Sequence, residues 1–184
     1  MFASPARKTP VGQYNRQVVT TNPAVAAQAL ATVAELSNGR ATLAIGAGGS
    51  GLPMMGITRS AVTETTRAAF ESIAELLAGK TVTRQTAAFT LRGANLKVVP
   101  PQPVPLWIAS RGRRMLEMAG ATADGVMIAS QAAPQGLHRA LEHVRRGAAA
   151  HGRDVAALRT MARVDTCVHT DEQLAREELC FLLE

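Results

Sequence analysis

Aromatic residues are scarce in this chain: one Trp, one Tyr and four Phe among 184 residues, 3% of the total. A platform that stacks the bases of single-stranded nucleic acid needs several such rings, so no nucleic-acid partner is expected. A core with so few rings must be filled by Ala, Val, Leu, Ile and Met, which suits buried parallel strands alternating with helices. Cysteine is equally sparse. Cys167 and Cys180 form neither a paired framework nor a metal-ligand spacing, which argues against a disulfide scaffold and a metal site and suits a reducing cytoplasm. Long hydrophobic runs are missing too. No stretch reaches the roughly 18 apolar residues of a spanning helix, and the start, Met1-Phe-Ala-Ser-Pro-Ala-Arg-Lys, lacks the apolar region of a signal peptide. A cytoplasmic protein without a membrane partner is the expectation.

What is present is an apolar fraction of 47% against 18% charged residues, the balance of a globular chain with one sizeable core. The net charge of +6 comes from 20 basic and 14 acidic residues. Most of the basic residues read as a solvated surface; the one dense cluster is Arg111, Arg113 and Arg114.

Residues 1–17 carry Pro5, Pro10 and Gly12 without apolar periodicity and read as an extended leader with little order, followed by a single domain over 18–184. Asn22-Pro23 offers an N-cap and a proline at the first helical position, predicting a helix to Leu36 that Gly39 closes. Strands are predicted near 41–46, 105–109, 126–129 and 160–168, each an apolar or β-branched run bounded by glycine, proline or polar breakers. Helices fall between them: 61–78, with Phe70, Ile73, Ala74 and Leu77 on one face; 112–119; one carrying Leu137, Leu141, Val144 and Ala148; and a last one capped by Asp171. Residues 81–99 interrupt the alternation as short irregular strands. The order is that of a parallel α/β fold, either an open doubly wound sheet or an arc of a (β/α) barrel.

Gly46-Ala-Gly48-Gly-Ser-Gly51 matches the G-x-G-x-x-G dinucleotide fingerprint after a strand. The context disagrees. Pro53 and Gly56 keep the chain out of helix until about residue 61, and the acidic residue about 20 positions on, Glu71, falls within a helix instead of at a strand end. A strand-end loop facing a ligand is the better reading.

Several segments carry a resemblance. Glu35-Leu-Ser37-Asn-Gly39-Arg40 with Leu43-Ala-Ile-Gly46-Ala-Gly48, then Pro105-Leu-Trp-Ile-Ala109-Ser-Arg-Gly112, Met118-Ala-Gly120, Ala123-Asp124-Gly125-Val126 and His151-Gly152-Arg153-Asp154 stand in the order and spacing of the luciferase-like flavin- or deazaflavin-dependent oxidoreductases. The segment Leu52-Pro-Met-Met-Gly56 and the helix ending Leu76-Leu-Ala-Gly79-Lys resemble members related to methylenetetrahydromethanopterin reductase. The resemblance implies a partial TIM-type (β/α) barrel with parallel strands, incomplete at both ends, and favours the arc over the open sheet. It further implies an oxidoreductase or monooxygenase that moves hydride between FMN or the deazaflavin coenzyme F-420 and a small organic substrate. The family's ring-supporting early strands have no counterpart here, so no catalytic residue carries over.

The cofactor's phosphate end is better represented. By resemblance it would meet Ser110, Arg111 and Gly112 after one strand and Ala129, Ser130 and Gln131 after the next, with Gly46 and Gly48 at the neighbouring strand end; the alternative is that Ser110 merely caps a helix. Arg40 and Arg153 read as helix-end capping residues, His138, His143 and His151 as surface residues, and Asp124-Gly125 as a tight turn. Two other functions stay open at this level: an inactive, shortened relative acting as an interaction partner, and a basic nucleotide-binding module. Unpaired strand edges of an incomplete barrel would favour self-association.

Overall fold

The protein is described by a computed structural model covering residues 11–17, 20–49, 52–57, 61–129 and 133–183. Five strands form one parallel sheet: β1 (Val11–Gln17), β2 (Ala41–Gly46), β5 (Leu106–Ser110), β6 (Gly125–Ile128) and β7 (Arg159–Ala162), adjacent in that order. Helices connect them: α1 (Pro23–Leu36), α2 (Val62–Leu77), α3 (Arg113–Thr122) and α4 (Pro134–Ala150), with α5 (Glu172–Leu183) following β7. Strands that succeed one another in space as they do in sequence, each pair joined through a helix, make an arc of a (β/α) barrel. The strand order rules out the doubly wound alternative, whose order would reverse at a switch point.

One expectation fails. Residues 1–10 of the supposed leader lie outside the described residues, but its last part is a strand over Val11–Gln17, paired with β2 from Val11 opposite Ala41 to Gln17 opposite Gly46, with a register shift between Gln13 and Arg16. Its polar residues and its irregular ladder hid it from an apolar-run criterion. The fourth predicted strand is shorter than expected, ending at Ala162.

Alternation along the strands divides the apolar residues between two faces. Leu43, Ile45, Leu106, Ile108, Val126 and Ile128 face the helices and join Leu30, Leu76, Leu116 and Val144 in the main core. Ala44, Trp107 and Met127 form a second cluster on the opposite, inner face, with Ala109 against it. Full burial of each large aliphatic side chain contributes about 1.5–3 kcal/mol.

Local chemistry places the helix ends. The Asn22 side chain accepts from the Ala24 amide at 2.9 Å and Pro23 opens α1. Gly39, at φ 75°, lets its amide reach back to the Ala34 carbonyl, while Arg40 Nε donates to the Ser37 carbonyl at 2.9 Å. The excursion after α2 is an antiparallel hairpin of β3 (Val82–Gln85) and β4 (Thr90–Ala94). Arg84 clamps it to α2, donating to the Ala68 carbonyl at 2.9 Å and to Ser72 Oγ at 2.7 Å, and pairing with Glu75 at 3.2 Å.

The tightest packing is between α3 and α4. A Cβ on Gly147 would fall on the Glu117 carbonyl, and one on Gly120 would fall on the carbonyl of Val144. Backbone-to-backbone approach therefore requires glycine on both helices. Arg153, just past α4, donates to the carbonyls of Gly120 and Ala123 at 2.8 Å each and closes the far end of the same contact. It caps the end of α3, the neighbouring helix, and not the end of α4, which it follows.

Helix propensity alone would make Gly147→Ala stabilising by about 1 kcal/mol. The contact predicts the opposite sign: a net loss of about 1–3 kcal/mol, as for overpacking. Gly112→Ala should cost no more than about 1 kcal/mol in urea unfolding, the difference between glycine and alanine at an N-cap, because Gly112 has extended backbone and its added Cβ would meet only Ser110 Oγ, at 3.9 Å.

Candidate functional site

Parallel pairing brings three strand ends to one rim. Gly46 of β2 lies opposite Ala109 of β5, and Ser110 lies opposite Ile128 of β6. The ladder continues one step further, with the Ala129 amide donating to the Ser110 carbonyl at 3.1 Å. Gly46, Ser110 and Ala129 thus stand at the carboxyl rim of the arc, each one residue further along the ladder than the one before. Gly48, two residues beyond β2, takes φ 93°, a backbone state that L side chains rarely adopt. The loop then makes a 3-10 turn at Pro53–Met55, and α2 begins only at Val62. Among the described residues no α-helix starts at the glycines, which disagrees with the dinucleotide fingerprint. Ser130 and Gln131 lie outside the described residues.

At the end of β5 the chain turns directly into α3. Ser110 Oγ accepts from the Gly112 amide at 3.0 Å, and Gly112 occupies the N-cap position with no side-chain cap of its own. The first-turn amides of α3 have no partners within the helix and add the positive end of its dipole. Ser110 is half-buried; Arg111 and Gly112 are exposed. Ser110 thus makes a local cap-like bond in the turn between β5 and α3.

Behind this rim the inner face carries Trp107, with Gly125 directly beneath its ring: a Cβ on Gly125 would strike the indole. Trp107 is 9% exposed, and its Nε1–H is buried without an acceptor among the described residues. Asp124, expected only to turn the chain, does more. Its carboxylate accepts from the Leu106 amide at 2.8 Å, its own amide donates to the Leu106 carbonyl at 2.9 Å, and its carbonyl accepts from Arg159. One residue thereby fixes the starts of β5, β6 and β7.

Sequence reading missed one rim group. Because β7 ends at Ala162, Arg163 and Asp165 emerge at the strand ends instead of lying inside a strand. The Arg163 amide donates to the Ile128 carbonyl at 2.9 Å, and its guanidinium pairs with Asp165 at 2.7 Å. The alternating polarity of Arg163-Val-Asp165 had mimicked a half-exposed strand. Cys167 lies further along, its thiol held above the usual range by a hydrogen bond to Glu178. Among the described residues no three His, Cys, Asp or Glu side chains gather in a metal-binding group, and no helix is long and apolar enough to cross a membrane.

Residues 12–183 match the family model of the luciferase-like monooxygenases. The chain belongs to that family. Among curated proteins it is 35% identical over 156 residues to 5,10-methylenetetrahydromethanopterin reductase of Archaeoglobus fulgidus, covering 84% of this chain and 46% of the relative. It is also 35% identical to the F420-dependent glucose-6-phosphate dehydrogenase of Kineococcus radiotolerans, over 68% of this chain and 40% of the relative. A solved F420-dependent secondary alcohol dehydrogenase in complex with an F420-acetone adduct superposes with a TM-score of 0.82 at 28% identity, covering 96% of this chain and 56% of that one. The reductase of Methanopyrus kandleri shares the fold at a TM-score of 0.80 and 22% identity, over 95% of this chain and 55% of its own. The chain thus spans about half the length of the relatives it matches.

Trp107 separates packing from hydrogen bonding on the inner face. Trp107→Ala should cost about 3–5 kcal/mol in urea unfolding. Trp107→Phe keeps a ring over Gly125 and removes a donor that has no acceptor, so its cost should stay below about 1 kcal/mol. Equal losses in the two variants would mean that the N–H, not the ring, is what the site needs.

Proposed function

We propose that this chain carries the phosphate-binding half of an oxidoreductase site that takes reduced deazaflavin F-420 or FMN and acts on a small organic substrate. The observation that supports the reading best is the alignment of Gly46, Ser110 and Ala129 at one carboxyl rim, beside the amide-rich start of α3. Relatives named as F420-dependent favour the deazaflavin.

The residues present suit a phosphate. Gly112 leaves room at the helix start, since a Cβ there would meet nothing nearer than Ser110 Oγ. Backbone amides and the helix dipole attract an anion at such a position, and the guanidinium of Arg111, one residue earlier, adds a charged donor. Ser130 and Gln131 would supply the second contact after Ala129. When bound, the cofactor ring supplies the hydride chemistry; the protein's part is to place it and shield it from water. Ala44, Ala109 and Met127 offer an apolar inner wall for that purpose. We assign no proton donor or acceptor.

Titration calorimetry with FMN and with inorganic phosphate tests the reading. Arg111→Ala should weaken binding by about 1.5–3 kcal/mol, the value of a charge-assisted hydrogen bond. Gly112→Val should block close approach of the phosphate with Arg111 intact. Equal affinities for wild type and both variants would reduce Ser110–Gly112 to an ordinary helix start.

We further propose self-association through the open sheet edges. β7 has exposed residues throughout, and Met161, on the same face as Met127, is 49% exposed. Exposed parallel edges recruit further strands. Sedimentation velocity should show assemblies growing with concentration, and a compact monomer at high concentration would contradict this.

A further inference from the structure

The helix side of the arc holds a second concentration of charge, built from different donors. Helices α2, α3 and α4 enclose a groove of about 430 Å³ bearing Arg67, Arg113, Arg114 and Arg146 over an apolar floor that includes Met118 and Ala121. Its lining contains one carboxylate, Glu117, against four arginines, a surplus of three positive charges between them. Glu117 is already engaged: its Oε1 accepts from Arg113 Nε at 3.0 Å and from Arg146 at 3.4 Å, with His143 Nδ1 3.6 Å away. The bond from Arg113 holds this carboxyl below its usual range, so it stays ionised at neutral pH. Arg67 and Arg114 make no ion pair among the described residues.

Four guanidiniums converging on one concavity repel each other, and an apolar floor weakens the screening between them. One shared carboxylate leaves most of that repulsion uncompensated. The volume is that of a small-molecule site, too small for a folded partner. We propose that this groove binds a small polyanion carrying three or more phosphate or carboxylate charges, held by the guanidinium forks of Arg67, Arg113, Arg114 and Arg146. The inference does not rest on the cofactor reading, which uses backbone amides at the strand ends.

Titration calorimetry at low ionic strength, with tripolyphosphate and separately with citrate, tests it. The wild-type chain should bind at least one of the two saturably, and binding should weaken steeply with added salt. The double variant Arg67→Ala, Arg114→Ala, both exposed positions, should weaken binding at least tenfold with an unchanged circular dichroism spectrum. Glu117→Gln should strengthen it about fivefold, the scale of one unit charge removed at contact distance in water. Gly112→Val should leave it unchanged, which separates this groove from the strand-end site. Saturation by both anions assigns the groove to charge, and saturation by one assigns it to that anion's geometry. Binding of neither, wild-type affinity in the double variant, no gain in Glu117→Gln, or loss on Gly112→Val would overturn the proposal.

Discussion

In-register parallel pairing of β2, β5 and β6 is the constraint on which the rest depends. Parallel hydrogen bonding fixes which residues share a level, and a slip of one position would exchange the helix-facing residues Ile45, Ile108 and Ile128 with the inner-face set Ala44, Trp107 and Met127. Asp124 holds the register from below by bonding both backbone groups of Leu106. Trp107 over Gly125 holds it from the inside, since the ring fits only where its neighbour has no side chain. The placing of Ser110 and Ala129 at the rim follows from these two anchors, several residues away along the strands, and that of Gly46 from the ladder between β2 and β5.

Much of this arc could be read from local chemistry. Asn22-Pro23 and Gly39 mark both ends of α1 because capping and left-handed termination are properties of single residues. The apolar runs of β2, β5 and β6 reveal themselves because strands covered on both faces need no polar alternation. What stayed hidden depends on partners distant in sequence. β1 is polar and is held by its ladder to β2. Arg84 looks like any strand-borne arginine until α2 presents the Ala68 carbonyl and Ser72 to it. Asp124-Gly125 reads as a turn because its role lies 18 residues back, at Leu106.

The arginines illustrate the same division. Arg111, Arg113 and Arg114 are neighbours in sequence and were conspicuous there, yet the fold distributes them between surfaces. Arg113 turns onto the outer helices, where it pairs with Glu117 one turn along α3, and Arg146 of α4 reaches the same carboxylate. Arg67, in α2, reaches the same groove from nearly fifty residues upstream, so no window of sequence contains the cluster. Dense charge in sequence therefore under-reported the extent of the basic surface and misplaced its centre.

The close contact of α3 and α4 links these two surfaces. Gly120 and Gly147 let the helix backbones touch, and that approach sets how far the first turn of α3 stands from the rim and how near Arg146 comes to Glu117. Widening the contact by one methyl group would move the start of α3, and with it the amides beside Gly112, relative to strand ends that Asp124 keeps fixed. Of the two small residues at this crossing, Gly147 itself lines the groove, and neither belongs to the rim. The amide-rich rim and the guanidinium-lined groove are separate in chemistry, one made by backbone and the other by side chains, but both inherit their geometry from a helix pair packed without a single intervening side chain at its closest point.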